Sequence, residues 1–155
     1  MVRMPGASAP RLVVLVRHAK AESGEEGADH GRRLTDRGER NAREAGEWLA
    51  GLLPRVDEVW CSSATRAVQT WSAMGRSVEA PAPVVERELY LADARQIADR
   101  LGSWTEPGPL VVVGHNPAME QLQALLTGEL RGMRPGAVAV VDLTGRAVVD
   151  SWSPA

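Results

Sequence analysis

The chain is 155 residues long, with 18 basic and 20 acidic side chains and a formal net charge of −2. That length is expected to form one domain, residues 1–155, burying about two-thirds of the surface its unfolded form exposes. The near-neutral balance gives no global attraction to nucleic acid or an anionic membrane, so any anion site must come from a local cluster of cations.

In chain order, the opening segment MVRMPGASAP lacks the apolar core of a signal peptide. Residues 1 to about 10 are expected to be a flexible lead-in, with Met4 an alternative start. RLVVLV follows: short, valine-rich and unbroken by polar residues, the pattern of a strand buried on both faces. Thr35 then suits a helix N-cap, with Asp36 and Glu39 at the positive end of the dipole. Ala42, Ala45, Leu49, Leu52 and Leu53 fall on one face of that helix, and Pro54 ends it. VDEVWCS reads as a second strand, and Ser62 or Ser63 is placed to cap a helix running to about Met74.

APVVERELY reads as a short strand or extended segment, and Asp93 can cap a short helix to Leu101. LVVVG is the third buried strand. Asn116 and Pro117 fit the N-cap and first position of a helix to Thr127, closed by Gly128. AVAVVDL and RAVVDSW, joined at Thr144-Gly145, read as a hairpin. The alternation predicts an α/β fold, a three-layer α/β/α sandwich with a mostly parallel central sheet and an antiparallel edge from the C-terminal hairpin. The lone Cys61 cannot close an internal disulfide and is expected to be buried and inert. No apolar run approaches the roughly 20 residues of a membrane span, so a cytoplasmic protein is expected.

Ligands of such sheets bind beyond the carboxyl ends of the strands, which makes three strand endings candidates. The first strand ends on Arg17 and His18, groups that are costly to bury. The second leads to Arg66 in the first turn of the next helix, and the third to His115 before Asn116-Pro117. Two arginines and two histidines at one sheet edge suit a phosphoryl group, since guanidinium grips oxyanions through paired N–H bonds. Helix N-termini there add free backbone N–H groups.

The segments VRHAKAE, CSSATRAVQTW and VVVGHNP resemble the three signatures of the histidine phosphatase superfamily, the phosphoglycerate mutase-like proteins. Ala19 stands where the first signature usually has glycine, as in the small branch resembling protein phosphohistidine phosphatases, and GRRLTDRGERNA is similar to the segment that follows in that branch. The resemblance covers roughly Leu12 to Leu143. It implies that His18 is the nucleophile and carries the phosphoryl group as a covalent phosphohistidine. It further implies that Arg17 and Arg66 neutralise the phosphoryl oxygens, that His115 donates to them, and that no metal or other cofactor takes part. Arg32 or Arg33 is expected as a further clamp, and Ser23 as a hydrogen-bond donor from the loop after His18.

Larger members carry a glutamate that protonates an alkoxide leaving group. Here Glu86 and Glu88 are the candidates, with Glu88 kept among the substrate-binding residues, and neither sits in a convincing version of that pattern. A weak or absent acid favours a phosphoramidate substrate, and the absence of a cap-forming insertion predicts an open pocket. The expected activity is therefore removal of phosphate from phosphohistidine on a protein. A general phosphatase on small phosphate esters and a non-catalytic phosphate-binding module are the alternatives. A monomer or weak dimer is expected, because an open pocket requires no second subunit. A metal site built from His18, His30, His115 and Asp29 is disfavoured by the arginines and by the spacing, and His30 is expected to be solvated.

Overall fold

The computed structural model describes residues 10–24 and 27–155, so the expected N-terminal lead-in lies almost wholly outside the described residues. Six strands form one sheet: β1 (Leu12–Arg17), β2 (Glu58–Ser62), β3 (Val84–Glu86), β4 (Leu110–Gly114), β5 (Val138–Asp142) and β6 (Ala147–Trp152), in the order β3-β2-β4-β1-β5-β6. The four strands from β3 to β1 run parallel, and the β5–β6 hairpin adds antiparallel pairs at the other edge. β1 and β4 pair from Val13↔Leu110 to Arg17↔Gly114, so both end at the same level.

Five helices cover the sheet: α1 (Asp36–Leu52), α2 (Thr65–Met74), α3 (Arg87–Leu91), α4 (Ala94–Gly102) and α5 (Ala118–Thr127). Alternate strand residues point to opposite faces, and two hydrophobic cores follow from that period. Val14, Val16, Val111 and Val113 pack with Ala42, Leu49, Ala67 and Trp71 of α1 and α2. Val13, Leu15, Val112 and Ala139 pack with Leu89, Ile97, Met119 and Leu122 of α3, α4 and α5. The three-layer α/β/α architecture follows directly from two cores sharing one sheet.

Thr35 caps α1 as expected, its side chain accepting from Gly38 N at 3.0 Å. The buried stripe of α1 is Ala42, Ala45, Gly46 and Leu49, whereas Leu52 is 41% exposed at the last turn. Gly46 carries close packing of α1 on α2, since a Cβ there would stand 2.4 Å from Met74 O. Asp93 caps α4 in a reciprocal pair with Gln96.

Three local expectations are corrected. Neither Ser62 nor Ser63 caps α2: the N-cap is Ala64, and both hydroxyls are drawn to histidine rings instead. The stretch after β3 does not stay extended, because α3 begins at Arg87 and turns Leu89 into the core. At α5 the cap falls on Pro117, one residue later than expected, although Asn116 Oδ1 still accepts from Glu120 N at 3.3 Å.

Candidate active site

β2, β4 and β1 are neighbours and parallel, so their carboxyl ends deliver side chains to one place. His18 follows β1 directly, and its backbone N–H donates to Gly114 O at 3.0 Å, which ties it to the end of β4. The next residue, Ala19, is fully buried in the α1–α2 core and donates its N–H to Thr70 Oγ1. Its methyl group therefore points away from the pocket, so alanine in place of the usual glycine does not narrow it. Ala19 is also absent from the left-handed backbone region that would demand glycine.

The tautomer of the His18 ring is set by one hydrogen bond. Nδ1 lies 2.8 Å from Ala19 O, an acceptor, so Nδ1 carries the proton and Nε2 keeps its lone pair. That lone pair faces Arg66, whose Nε donates to His18 Nε2 at 3.4 Å. Burial, and then the positive charges of Arg66, Arg17 and Arg32, push the His18 pKa down to about 4, against the Ala19 hydrogen bond that raises it. The imidazole is neutral and aimed.

His115 follows β4, with its ring centroid 5.1 Å from that of His18. Ser62 Oγ, at the end of β2, accepts from Ala64 N at 3.2 Å and lies 2.7 Å from His115 Nε2. When the hydroxyl proton is directed to Nε2, Nδ1–H is left as the donor of a neutral ring. Nδ1 is buried with no partner among the described residues, and so is Arg17 Nε. A buried donor without an acceptor costs about 1–3 kcal/mol, and a bound oxyanion removes that cost. Burial, then His18 and Arg66, push His115 down to about 3. Arg17 is held by Nη1, which donates to Met133 O at 2.7 Å.

Arg66, at the start of α2, is 5% exposed. Its counter-charge is Asp29, on the 3-10 turn Asp29–Gly31: Nη1 donates to Asp29 O at 2.7 Å and Nη2 to Asp29 Oδ2 at 3.1 Å. Tyr90 of α3 donates its hydroxyl to the same Oδ2 at 2.5 Å, and Arg32 donates to Oδ1 at 3.1 Å. The Tyr90 hydrogen bond, followed by those from Arg66 and Arg32, holds the Asp29 carboxyl well below the usual carboxylate range. His30, expected to be solvated, instead pairs through Nε2 with Ser63 Oγ at 2.8 Å and packs edge-on against Tyr90.

The structure thus brings Arg17, His18, Arg66 and His115 together, with Arg32 joined to them through Asp29. Ser23 is exposed and makes no side-chain hydrogen bond among the described residues, and Arg33 is exposed. Glu86 is taken by Arg100 in a two-pronged ion pair, its Oε1 accepting from Nη2 at 3.1 Å. Glu88 is exposed and borders a groove with Gln96 and Arg100. Among the described residues, His/Cys/Asp/Glu side chains form no group of three or more able to hold a metal. Burial pushes the Cys61 thiol up to about 12, which leaves it unreactive.

Tyr90 and the two serines were not legible as site residues, and Asp29 entered only as a member of the disfavoured metal set. The spacing Asp29-x-x-Arg32 was the one available sign, because an acid three residues before an arginine can pair with it.

The model of the histidine phosphatase superfamily (branch 1) matches residues 13–90. An uncharacterized protein of Mycobacterium tuberculosis (strain ATCC 25618 / H37Rv) is 41% identical over 111 residues, 72% of this chain and 69% of its own. The chain is similar to the crystal structure of the proposed phosphohistidine phosphatase SixA from Agrobacterium tumefaciens, with a TM-score of 0.84 and 30% identity over 94% of this chain and 100% of that one. It is also similar to the protein histidine phosphatase SixA complexed with tungstate, with a TM-score of 0.80 and 27% identity over 92% and 96% of the two chains.

Proposed function

The chain belongs to the histidine phosphatase superfamily, and on that premise we propose that it is a metal-independent phosphatase acting on phosphohistidine in a protein. His18 Nε2 attacks phosphorus, the bond from phosphorus to the substrate imidazole breaks, and the phosphoryl group rests on His18. The substrate ring, protonated on its other nitrogen, departs as a neutral imidazole. Water then attacks phosphorus, the bond to Nε2 breaks, and phosphate leaves with His18 restored. Arg17 and Arg66 carry charge complementary to the oxygens in both transition states, and His115 Nδ1–H supplies a further donor.

The observation that carries the substrate choice is the lack of a proton donor among the described residues. Glu86 is bound to Arg100, Glu88 stands outside the cluster, and Asp29 is ionised and fully engaged. An alkoxide leaving group benefits from an acid by roughly 10²–10⁴-fold, whereas a protonated imidazole needs none. The name of the SixA structures supports the same class of substrate.

A paired assay with a chelator present tests this. Wild-type protein and His18→Ala are compared on a phosphohistidine-bearing protein and on glycerol phosphate, an alkyl ester whose alkoxide benefits from a proton donor. The expected result is fast release from phosphohistidine, slow release from the ester, and loss of both in the variant. Preference for the ester would point to a small-molecule phosphatase with another acid. Loss of turnover on chelation would contradict metal independence.

A further inference from the structure

The geometry points to Asp29 as a positioning residue for Arg66, braced by Tyr90, that sets the guanidinium against His18 Nε2 and the transferred phosphoryl group. This rests on the phosphatase reading of the same pocket.

An arginine has five N–H donors in a rigid plane, so fixing two of them fixes the rest. Asp29 takes one N–H from each terminal nitrogen of Arg66, through its backbone carbonyl and its carboxylate. Nε–H then faces His18 Nε2. Two donors of the five are left for phosphoryl oxygens, in a direction that Asp29 dictates. Arg66 is almost wholly buried, so without this partner its charge would be unpaired and its plane unconstrained.

Asp29 is itself over-determined. Oδ2 accepts from Tyr90 as well as Arg66, and Oδ1 accepts from Arg32, so rotation of the carboxylate would break bonds to three side chains. Tyr90 is rigid in turn. Its neighbour Leu89 is anchored in the core, its ring is edge-packed with His30 and His115, and the Arg66 guanidinium carbon lies 6.0 Å from the ring centre. The turn that carries Asp29 is pinned a second time by the His30–Ser63 hydrogen bond. Asp29 bonds the nucleophile only through Arg66, so its role is to place another group.

The effect should be larger in the transition state than in the ground state, because the in-line geometry is the stricter of the two. Vanadate, which mimics the trigonal-bipyramidal phosphoryl group, and inorganic phosphate separate the two. Their affinities are measured for the full chain as wild type, Asp29→Asn and Tyr90→Phe, with kcat and KM on p-nitrophenyl phosphate and a thermal melt to confirm folding. Asp29→Asn is expected to weaken vanadate by roughly 10–100-fold and to lower kcat in parallel. Phosphate affinity and KM change less than about threefold. Tyr90→Phe, which keeps the ring, shows a smaller loss in the same direction and carries the comparison if Asp29→Asn does not fold.

Equal loss of both affinities would overturn positioning in favour of a structural role. Tighter phosphate binding by Asp29→Asn would also overturn it, showing that Asp29 competes with substrate for Arg66. Unchanged variants beside an active wild type overturn positioning alone. A wild type that binds neither anion overturns the phosphatase reading, and this inference with it.

Discussion

At His18 the decisive feature is the missing proton. Burial beside three arginines keeps the ring neutral down to about pH 4, and His115 down to about pH 3, against an ordinary value of 6.5. A nucleophilic nitrogen needs that state, yet it costs stability in acid. Between those values and pH 6.5 the unfolded chain binds more protons than the native one, so stability falls as pH drops through that window and is level above it. Asp29 adds a second loss only below its ordinary 3.8, because its native pKa is depressed. A bound phosphate dianion reverses the histidine shifts by supplying the opposite charge. Binding of sulfate, which stays a dianion near pH 6.5 and brings no titration of its own, is therefore expected to take up protons, measured as a calorimetric heat that varies with the ionisation enthalpy of the buffer. Heats independent of buffer would mean that neither imidazole responds to the anion.

At the scale of elements, the strand ends were readable and the loops were not. β1 and β4 are valine runs buried on both faces, so any charged residue at their ends stood out; Arg17, His18 and His115 were legible for that reason. Arg66 was legible through its place in the first turn of α2. Asp29 sits in SGEEGADHG, which has neither a period of two nor one of 3.6, and its partner Tyr90 comes from a five-residue helix that local pattern could not separate from a strand. Ser62 and Ser63 matched a capping signal because a hydroxyl near a helix start serves a ring nitrogen as readily as a backbone N–H. Gly46 shows the same limit. Nothing local marks it, yet a Cβ there meets the Met74 carbonyl oxygen at 2.4 Å. Gly46→Ala should therefore lower stability by about 1–3 kcal/mol, despite alanine's better helix propensity, while turnover per folded molecule is unchanged. A urea midpoint equal to or above that of wild type would show that α1 can move off α2 freely.

Across the whole molecule, one sheet separates two tasks. Its carboxyl end carries the cations and the engaged carboxylate, while its opposite end is closed by indoles: Trp60 and Trp104 both donate to Glu58, and Arg11 lies over Trp104. The three layers were legible because strand–helix alternation leaves few other arrangements. Which side chains from different layers meet was not legible, since it depends on how far α3 and the Asp29 turn lean over the strand ends. That lean completes the site: it pairs Arg66 with an acid from one segment and braces that acid with a phenol from another.

In the proposed mechanism His18 carries the phosphoryl group during turnover. The most direct measurement is rapid acid-free quenching of the protein with a phosphohistidine-bearing substrate, followed by fragment mass spectrometry under alkaline conditions that preserve phosphohistidine. A phosphoryl group found on His18 within one turnover, and absent from His18→Ala, is the predicted result. Turnover at the wild-type rate with no label on His18, or a label that persists in the variant, would contradict a phosphohistidine intermediate at His18.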